Sequence, residues 1–129
     1  MVEHSKRKKH HDKDKYYRLA KEQGFRSRAA FKLAQINRKF GLLQNARTVL
    51  DLCAAPGGWT QVASRALPND GATIVAVDIL PIRRLPNVIT LVGDITTEKC
   101  KAAVRATLQG AGADVVSIPE GGKARIGTR

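Results

Sequence analysis

The spacing of apolar residues divides the chain into helical and strand-like stretches. After a polar opening, residues 16–23 have the spacing of a short helix that Gly24 closes, and Ser27 is a suitable N-cap for a second helix ending near Gly41. One face of this second helix is apolar, with Ala29, Leu33, Ile36 and Phe40, and another is basic or polar, with Arg28, Lys32, Gln35 and Lys39. We therefore predict that the first face packs and that the second forms a basic stripe in solvent.

Beyond residue 47, short apolar runs alternate with helical stretches. The predicted strands cover residues 48–53, 73–78, 88–92 and 113–118, and the predicted helices cover residues 59–67 and 97–108. Such alternation is typical of an α/β fold, a doubly wound parallel sheet with helices on both faces.

The pattern stops after the fourth predicted strand, because residues 119–129 are polar, rich in glycine and without periodicity. The sequence thus predicts a disordered basic tail over residues 1–14, a partial α/β domain over residues 15–118 and an irregular segment over residues 119–129. A parallel sheet that ended at the fourth strand would be incomplete, with one edge uncovered. A chain that does not fold stably is therefore one alternative.

Charge separates the N-terminal third from the rest. The 129 residues carry a formal net charge of +12, and residues 1–47 contain fourteen basic and four acidic residues, which account for +10 of it. A basic arm on a nearly neutral body favours a polyanionic partner, above all a nucleic acid. A solubilising or nuclear-targeting run is the alternative.

Neither the cysteines nor the histidines suggest a metal or disulfide site. Cys53 and Cys100 are far apart without a C-x-x-C motif, which fits a reducing intracellular compartment. His4, His10 and His11 lie in the lysine-rich opening without acidic or thiol partners at metal spacing. No apolar stretch reaches membrane-spanning length, and the N-terminus lacks the apolar segment of a secretory signal.

The most informative stretch is the end of the first strand, Asp51-Leu-Cys-Ala-Ala-Pro-Gly-Gly-Trp-Thr-Gln. A strand that opens through glycines into a helix lets backbone N–H groups approach a ligand, and a Cβ atom at Gly57 would obstruct that approach. The glycine spacing is not G-x-G-x-x-G, so a dinucleotide pyrophosphate is disfavoured as the ligand.

Two acids close the next strands, Asp78 the second and Asp94 the third. In nucleotide-binding sheets an acid at the end of the second strand accepts hydrogen bonds from ribose hydroxyls. Asp94 ends the third strand in the same way and could receive the exocyclic amine of an adenine ring. Each has a simpler interpretation alone: Asp94 can cap the helix that follows, and Trp59 can be a packing residue.

This combination resembles the S-adenosylmethionine-binding motif of the FtsJ-like RNA 2′-O-methyltransferases. Residues 14–33, 77–82 and 86–97 are similar to the eukaryotic branch that methylates pre-ribosomal RNA in the nucleolus. The resemblance covers roughly residues 14–116. It implies a Rossmann-like methyltransferase fold, S-adenosyl-L-methionine as cofactor, ribosomal RNA or a pre-ribosomal particle as partner, and a nuclear, nucleolar location.

The resemblance also implies roles for single residues. Gly57 and Trp59 would contact the cofactor, Asp78 would hold its ribose, and Asp94 would lie beside its adenine. Lys32 matches the first lysine of the family's catalytic Lys-Asp-Lys-Glu set, where it would steer or activate the ribose hydroxyl. Without the resemblance, Lys32 reads as one member of a solvated basic stripe.

The chain departs from the family at its fourth strand. The family has an Asp-Gly-Ala-Pro-Asn motif there, and Pro119 stands about where its catalytic aspartate belongs. The second lysine and the glutamate of the set would match positions beyond Arg129. We therefore expect ribose methylation to be impaired or absent in this chain, and the alternative function is a non-catalytic RNA-binding or cofactor-binding domain.

Overall fold

The computed structural model describes residues 15–67, 71–120 and 123–128. A first helix, α1, covers residues 15–22. The other elements are α2 (Arg28–Phe40), β1 (Thr48–Leu52), α3 (Gly58–Ala66), β2 (Thr73–Asp78), β3 (Val88–Val92), α4 (Glu98–Leu108), β4 (Val115–Glu120) and β5 (Lys123–Thr128). The tail predicted for residues 1–14 lies outside the described residues. Within them, no helix is both long enough and apolar enough to cross a membrane.

The five strands form one sheet in the order β3-β2-β1-β4-β5. The first four strands are parallel, and Asp51 of β1 pairs with Ala76 of β2 on one side and Ser117 of β4 on the other. The chain reverses its winding between β1 and β4, and ligands of such sheets bind beside the carboxyl ends of the strands at this switch. The predicted parallel α/β sheet is confirmed.

The prediction of an irregular segment over residues 119–129 is wrong for residues 119–120, which belong to β4, and for residues 123–128. Residues 123–128 form β5, which pairs antiparallel with β4 from Glu120↔Lys123 to Val115↔Thr128. The outer edge of β4 offers unpaired N–H and C=O groups, and a hairpin partner satisfies them without needing an apolar pattern of its own. The signal was Gly121-Gly122, a two-residue glycine connection of the kind that joins hairpin strands.

The core lies on both faces of the sheet, because the central strands alternate their side chains. On β2, Ile74 packs with α2 and α3, whereas Val75 and Val77 pack with Cys100 of α4. The face towards α2 and α3 buries the larger cluster, comprising Ala30, Leu43, Val49, Val62, Ala63, Leu67, Ile74 and Val115. Helices on both faces of the sheet are thus confirmed.

The prediction for the packing face of α2 is confirmed for Leu33, which is half-buried against the core, and is wrong for its other three residues. The buried side chains of α2 are Ala30 and Phe31, while Ala29 and Ile36 are exposed and Phe40 is 66% exposed. Ala30 lies so close to the start of α3 that a Cβ atom at Gly58 would be 3.2 Å from its own Cβ, so the helix packs through the stripe next to the predicted one. The basic stripe lies in solvent as predicted.

Candidate ligand site at the carboxyl edge of the sheet

The glycine turn, residues 53–57, joins β1 to α3 at the carboxyl edge of the sheet. Gly57 has φ +101° and precedes the first residue of α3, and its amide donates to the carbonyl of Ala54 at 2.7 Å. No side chain of the described residues caps α3. The first backbone N–H groups of this helix are therefore directed to the open end, where they can bind an acceptor.

The glycines are also required by close protein neighbours. A Cβ atom at Gly57 would lie 2.6 Å from Nη1 of Arg26 and 3.1 Å from Cγ2 of Ile82. A Cβ atom at Gly58 would collide with Oγ of Ser27. The start of α2 thus lies against the start of α3, which brings the N-terminal segment to the candidate site.

Asp78 is buried at the end of β2 and joins the two neighbouring loops. Its Oδ2 atom accepts from the amide of Ala55 in the glycine turn at 2.8 Å, and its Oδ1 atom accepts from the amide of Leu80 at 3.0 Å. Each carboxylate oxygen has a second lone pair for a ligand donor. The structure therefore brings Asp78 beside the glycine turn.

Asp94 lies exposed at the end of the neighbouring strand. Asp78 pairs with Val92 in register, and the amide of Gly93 donates to the carbonyl of Asp78 at 2.9 Å, so the two acids belong to adjacent strand ends. The carboxylate of Asp94 accepts from the hydroxyl of Thr96 at 2.6 Å and from its amide at 2.9 Å, and these bonds lower the pKa of Asp94.

The interpretation of Asp94 as the N-cap of α4 is wrong. Thr97 caps that helix, because its Oγ1 atom accepts from the amide of Cys100 at 3.2 Å. Asp94 instead closes a local turn through Thr96. Its carboxylate therefore stays at the edge of the sheet beside Asp78.

Trp59 is half-buried and packs against the cluster beneath α2 and α3. Its indole Nε1 atom is buried and hydrogen-bonds to none of the described residues. The packing interpretation of Trp59 is confirmed by these contacts, and its cofactor contact stays a prediction.

Lys32 lies exposed on α2, whereas Ser27 and Ala30 lie against Gly58 at the start of α3. Its Nζ atom is 5.2 Å from the ring centroid of Tyr16, and the guanidinium of Arg28 is 5.6 Å from that of Tyr17. Two tyrosines of α1 thus lie against two basic residues of α2. Basic side chains interleaved with aromatic rings suit single-stranded nucleic acid.

Sequence reasoning assigned no role to Asp51, although an acid inside an apolar strand was a visible signal. Asp51 is only 4% exposed, and its Oδ2 atom accepts from the hydroxyl of Thr60 at 2.5 Å. Burial raises the pKa of Asp51 to about 6, against the opposing effect of the hydroxyls of Thr60 and Ser117. The residue joins β1 to the first turn of α3 beneath the glycine turn.

An exposed apolar surface between the two acids was also missed. Ile79 is 67% exposed immediately after Asp78, and Leu80 and Val92 are exposed close by. Apolar side chains flanked by a few polar groups are typical of pockets for flat, partly apolar ligands. The signal in the sequence was an apolar pair directly after the acid that ends β2.

Cys53 occupies a conformation that favours glycine. It is exposed at the end of β1 with φ +57°. Burial raises the pKa of its thiol, and so do the carboxylates of Asp78, Asp51 and Asp94, in that order. The three acids therefore surround one point of the turn and make this edge of the sheet electronegative.

Comparisons with known proteins show the family of the chain. The sequence profile of the FtsJ-like methyltransferases matches residues 25–118. A pre-rRNA 2′-O-ribose RNA methyltransferase, FTSJ3, of Gallus gallus is 61% identical over 104 residues, which are 81% of this chain and 12% of that protein. An AdoMet-dependent rRNA methyltransferase, spb1, of Aspergillus fumigatus is 54% identical over 103 residues, which are 80% of this chain and 13% of that protein.

A solved structure shares the fold. The crystal structure of a ribosomal RNA methyltransferase from Plasmodium falciparum superposes with a TM-score of 0.62 at 27% identity, over 77% of this chain and 60% of that one. The profile match spans the second helix, the glycine turn, both strand-terminal acids and most of β4. On this sequence and structural evidence, the chain is a member of the FtsJ-like methyltransferase family.

Proposed function

We propose that the chain binds S-adenosyl-L-methionine at the carboxyl edge of its sheet. The observation that carries the proposal is the convergence of the uncapped start of α3 with two acids on neighbouring strand ends, Asp78 and Asp94. Gly57 permits the left-handed turn that directs the start of α3 at the ligand, Asp78 accepts from the ribose hydroxyls, and Asp94 accepts from the adenine amine. Trp59 borders the same turn. The cofactor supplies an electrophilic methyl group when bound.

We further propose that the partner is ribosomal RNA, held by the surface of α1 and α2. The basic stripe of α2 attracts phosphates, and the tyrosines of α1 offer rings on which bases can stack. Relatives of this chain are named as pre-rRNA methyltransferases, which supports a nuclear, nucleolar site of action. Lys32 belongs to this surface, and in the proposed function its ammonium group holds the ribose 2′-oxygen in line with the methyl group.

A second candidate is a domain that binds cofactor and RNA but does not transfer the methyl group. Pro119 stands about where the family has a catalytic aspartate, and its backbone pairs with Ala124 in the β4–β5 hairpin. Proline has no group that can accept a proton from the 2′-hydroxyl. This observation favours the second candidate for this chain.

Removing the carboxylate of Asp94 tests the cofactor site. We expect Asp94→Ala to weaken the binding of S-adenosylmethionine about tenfold, because one hydrogen bond to a charged acceptor is lost. Isothermal titration calorimetry measures the dissociation constant. Glu98→Ala is the matched control, since it removes an exposed acid from the first turn of α4. Equal affinities of the two variants, or a wild type that does not bind the cofactor, would contradict the proposed site.

Transfer of a labelled methyl group from S-adenosylmethionine to pre-ribosomal RNA separates the two candidates. For an active enzyme, we expect Lys32→Ala to lower the rate at least about a hundredfold, within the range for a positioned proton-transfer group. Lys39→Ala is the control, because it removes another exposed lysine of the same helix. Label incorporation by the wild type no greater than by Lys32→Ala excludes catalysis. RNA affinity that then falls with rising salt supports the binding domain, and salt-independent affinity contradicts it.

A further inference from the structure

Arg26 joins three segments of the chain that are distant in sequence. Its Nη1 atom donates to the carbonyls of Pro56 at 3.1 Å and Arg83 at 2.9 Å, and its Nη2 atom donates to the carbonyl of Arg84 at 3.2 Å. Pro56 belongs to the glycine turn, whereas Arg83 and Arg84 belong to the loop between β2 and β3. One side chain therefore fixes the separation of the two loops that border the carboxyl edge.

The backbone that carries Arg26 is itself anchored to α3. The amide of Arg26 donates to Oε1 of Gln61 at 2.9 Å, and Nε2 of Gln61 donates to the carbonyl of Gly24 at 2.7 Å. Arg65 adds bonds to the carbonyls of Gln23 at 2.9 Å and Gly24 at 3.2 Å. The backbone that carries the guanidinium is therefore bound to α3, the helix that follows the glycine turn.

The contact with the turn is also steric. Nη1 of Arg26 lies so close to Gly57 that a Cβ atom there would be 2.6 Å away. The turn cannot move towards the loop of Arg83 without displacing the guanidinium. The guanidinium bonds the three carbonyls from two separate nitrogens held in one plane, whereas the three donors of a lysine ammonium all lie on one nitrogen and cannot reproduce this geometry.

We propose that Arg26 is a positioning residue for the cofactor site, which holds the glycine turn and the loop of Arg83 and Arg84 at the separation that ligand binding requires. The proposal rests on the proposed function for the ligand itself. The bridging of the two loops does not depend on that function and is measured separately.

Trypsin measures the bridge without any ligand, because the carbonyls of Arg83 and Arg84 belong to the two bonds that it cleaves. We expect Arg26→Lys to raise the cleavage rate after these residues about fivefold or more, since cleavage follows local opening. Arg38→Lys is the control, an equal exchange at an exposed position of α2. Both rates are compared with global stability from urea denaturation. Equal cleavage rates of Arg26→Lys and wild type would contradict the claim that Arg26 connects the two loops.

Calorimetry with S-adenosylmethionine then tests positioning in the full chain. We expect Arg26→Ala to bind the cofactor about tenfold more weakly, and millimolar ethylguanidinium, but not ethylammonium, to restore part of the affinity. A general loss of packing would show no such selective rescue. Unchanged affinity, or rescue by neither cation, would overturn the positioning role. A wild type that does not bind the cofactor would overturn the proposed function. The trypsin cleavage rates would still test whether Arg26 connects the two loops.

Discussion

Gly57→Ala is expected to lower the free energy of unfolding by about 2–4 kcal/mol, because alanine is strained in a left-handed backbone conformation and because its methyl group overpacks the site. Gly57 has φ +101°, a conformation that residues with a Cβ atom rarely adopt. The new methyl group would also lie 2.6 Å from Nη1 of Arg26 and 3.1 Å from Cγ2 of Ile82. Neither neighbour can retreat freely, because Arg26 bonds three carbonyls and Ile82 is buried.

Gly110→Ala is the matched control for the backbone contribution. Gly110 has φ +80°, but a Cβ atom there would meet no other atom within 4 Å. We expect this variant to lose only about 1 kcal/mol, the conformational penalty alone. Urea denaturation of both variants measures the difference. Equal losses would show that the packing around Gly57 contributes nothing.

Cofactor binding should separate the two glycines further. The methyl group at residue 57 would press on Arg26 and Ile82 and so displace the turn that begins α3, and we therefore expect Gly57→Ala to abolish binding of S-adenosylmethionine. Gly110 lies after α4, away from the turn, and its variant should bind like wild type. Calorimetry at a temperature where both variants are folded gives the comparison.

Stability should fall as pH rises, owing to one buried acid. The pKa of Asp51 is about 6 in the folded protein, against an ordinary value of 3.8. The folded state therefore binds the proton more tightly, and the stabilisation present below the unfolded pKa is lost as pH rises through the folded one. A rise of about two pKa units corresponds to about 3 kcal/mol, of which about half is lost between pH 5 and pH 8.

Asp51→Asn isolates this contribution. Asparagine has the shape of the protonated acid and can still accept from the hydroxyl of Thr60, but it does not titrate. We expect the unfolding free energy of wild type relative to Asp51→Asn to rise as pH is lowered from 8 to 5. Urea denaturation across this range provides the measurement.

Asp94→Asn serves as the control, because its carboxylate is exposed and hydrogen bonds lower its pKa. We expect Asp94→Asn to lose as much unfolding free energy between pH 5 and pH 8 as wild type does. A pH dependence shared by wild type and Asp51→Asn would mean that Asp51 is charged in the folded protein without penalty.

Much of the local structure followed from the sequence because local interactions decide it. β2 and β3 have the predicted bounds, and α2 begins after Ser27, whose Oγ atom accepts from the amide of Ala30 at 3.1 Å. A cap, a glycine in left-handed conformation and an apolar run act over a few residues, so the chain reveals them without knowledge of the fold. The order of the glycine turn and the two acids was readable for the same reason.

Three errors arose where distant segments decide the outcome. α2 offers two apolar stripes of similar quality, and only contact with α3 selects the one containing Ala30. β5 carries no apolar alternation, and its pairing depends on the open edge of β4. Asp94 and Thr97 are both suitable caps, and the backbone path after β3 assigns the cap to Thr97.

By itself, the sequence determined the parallel α/β architecture, the basic stripe and the candidate edge with Gly57, Asp78 and Asp94, because periodicity and turn chemistry are local properties. Only the tertiary structure revealed the buried acid at Asp51 and the three carbonyls that converge on Arg26. Burial and hydrogen-bond partners across 30 to 58 residues of sequence depend on how the elements pack. No pattern within one segment records that packing.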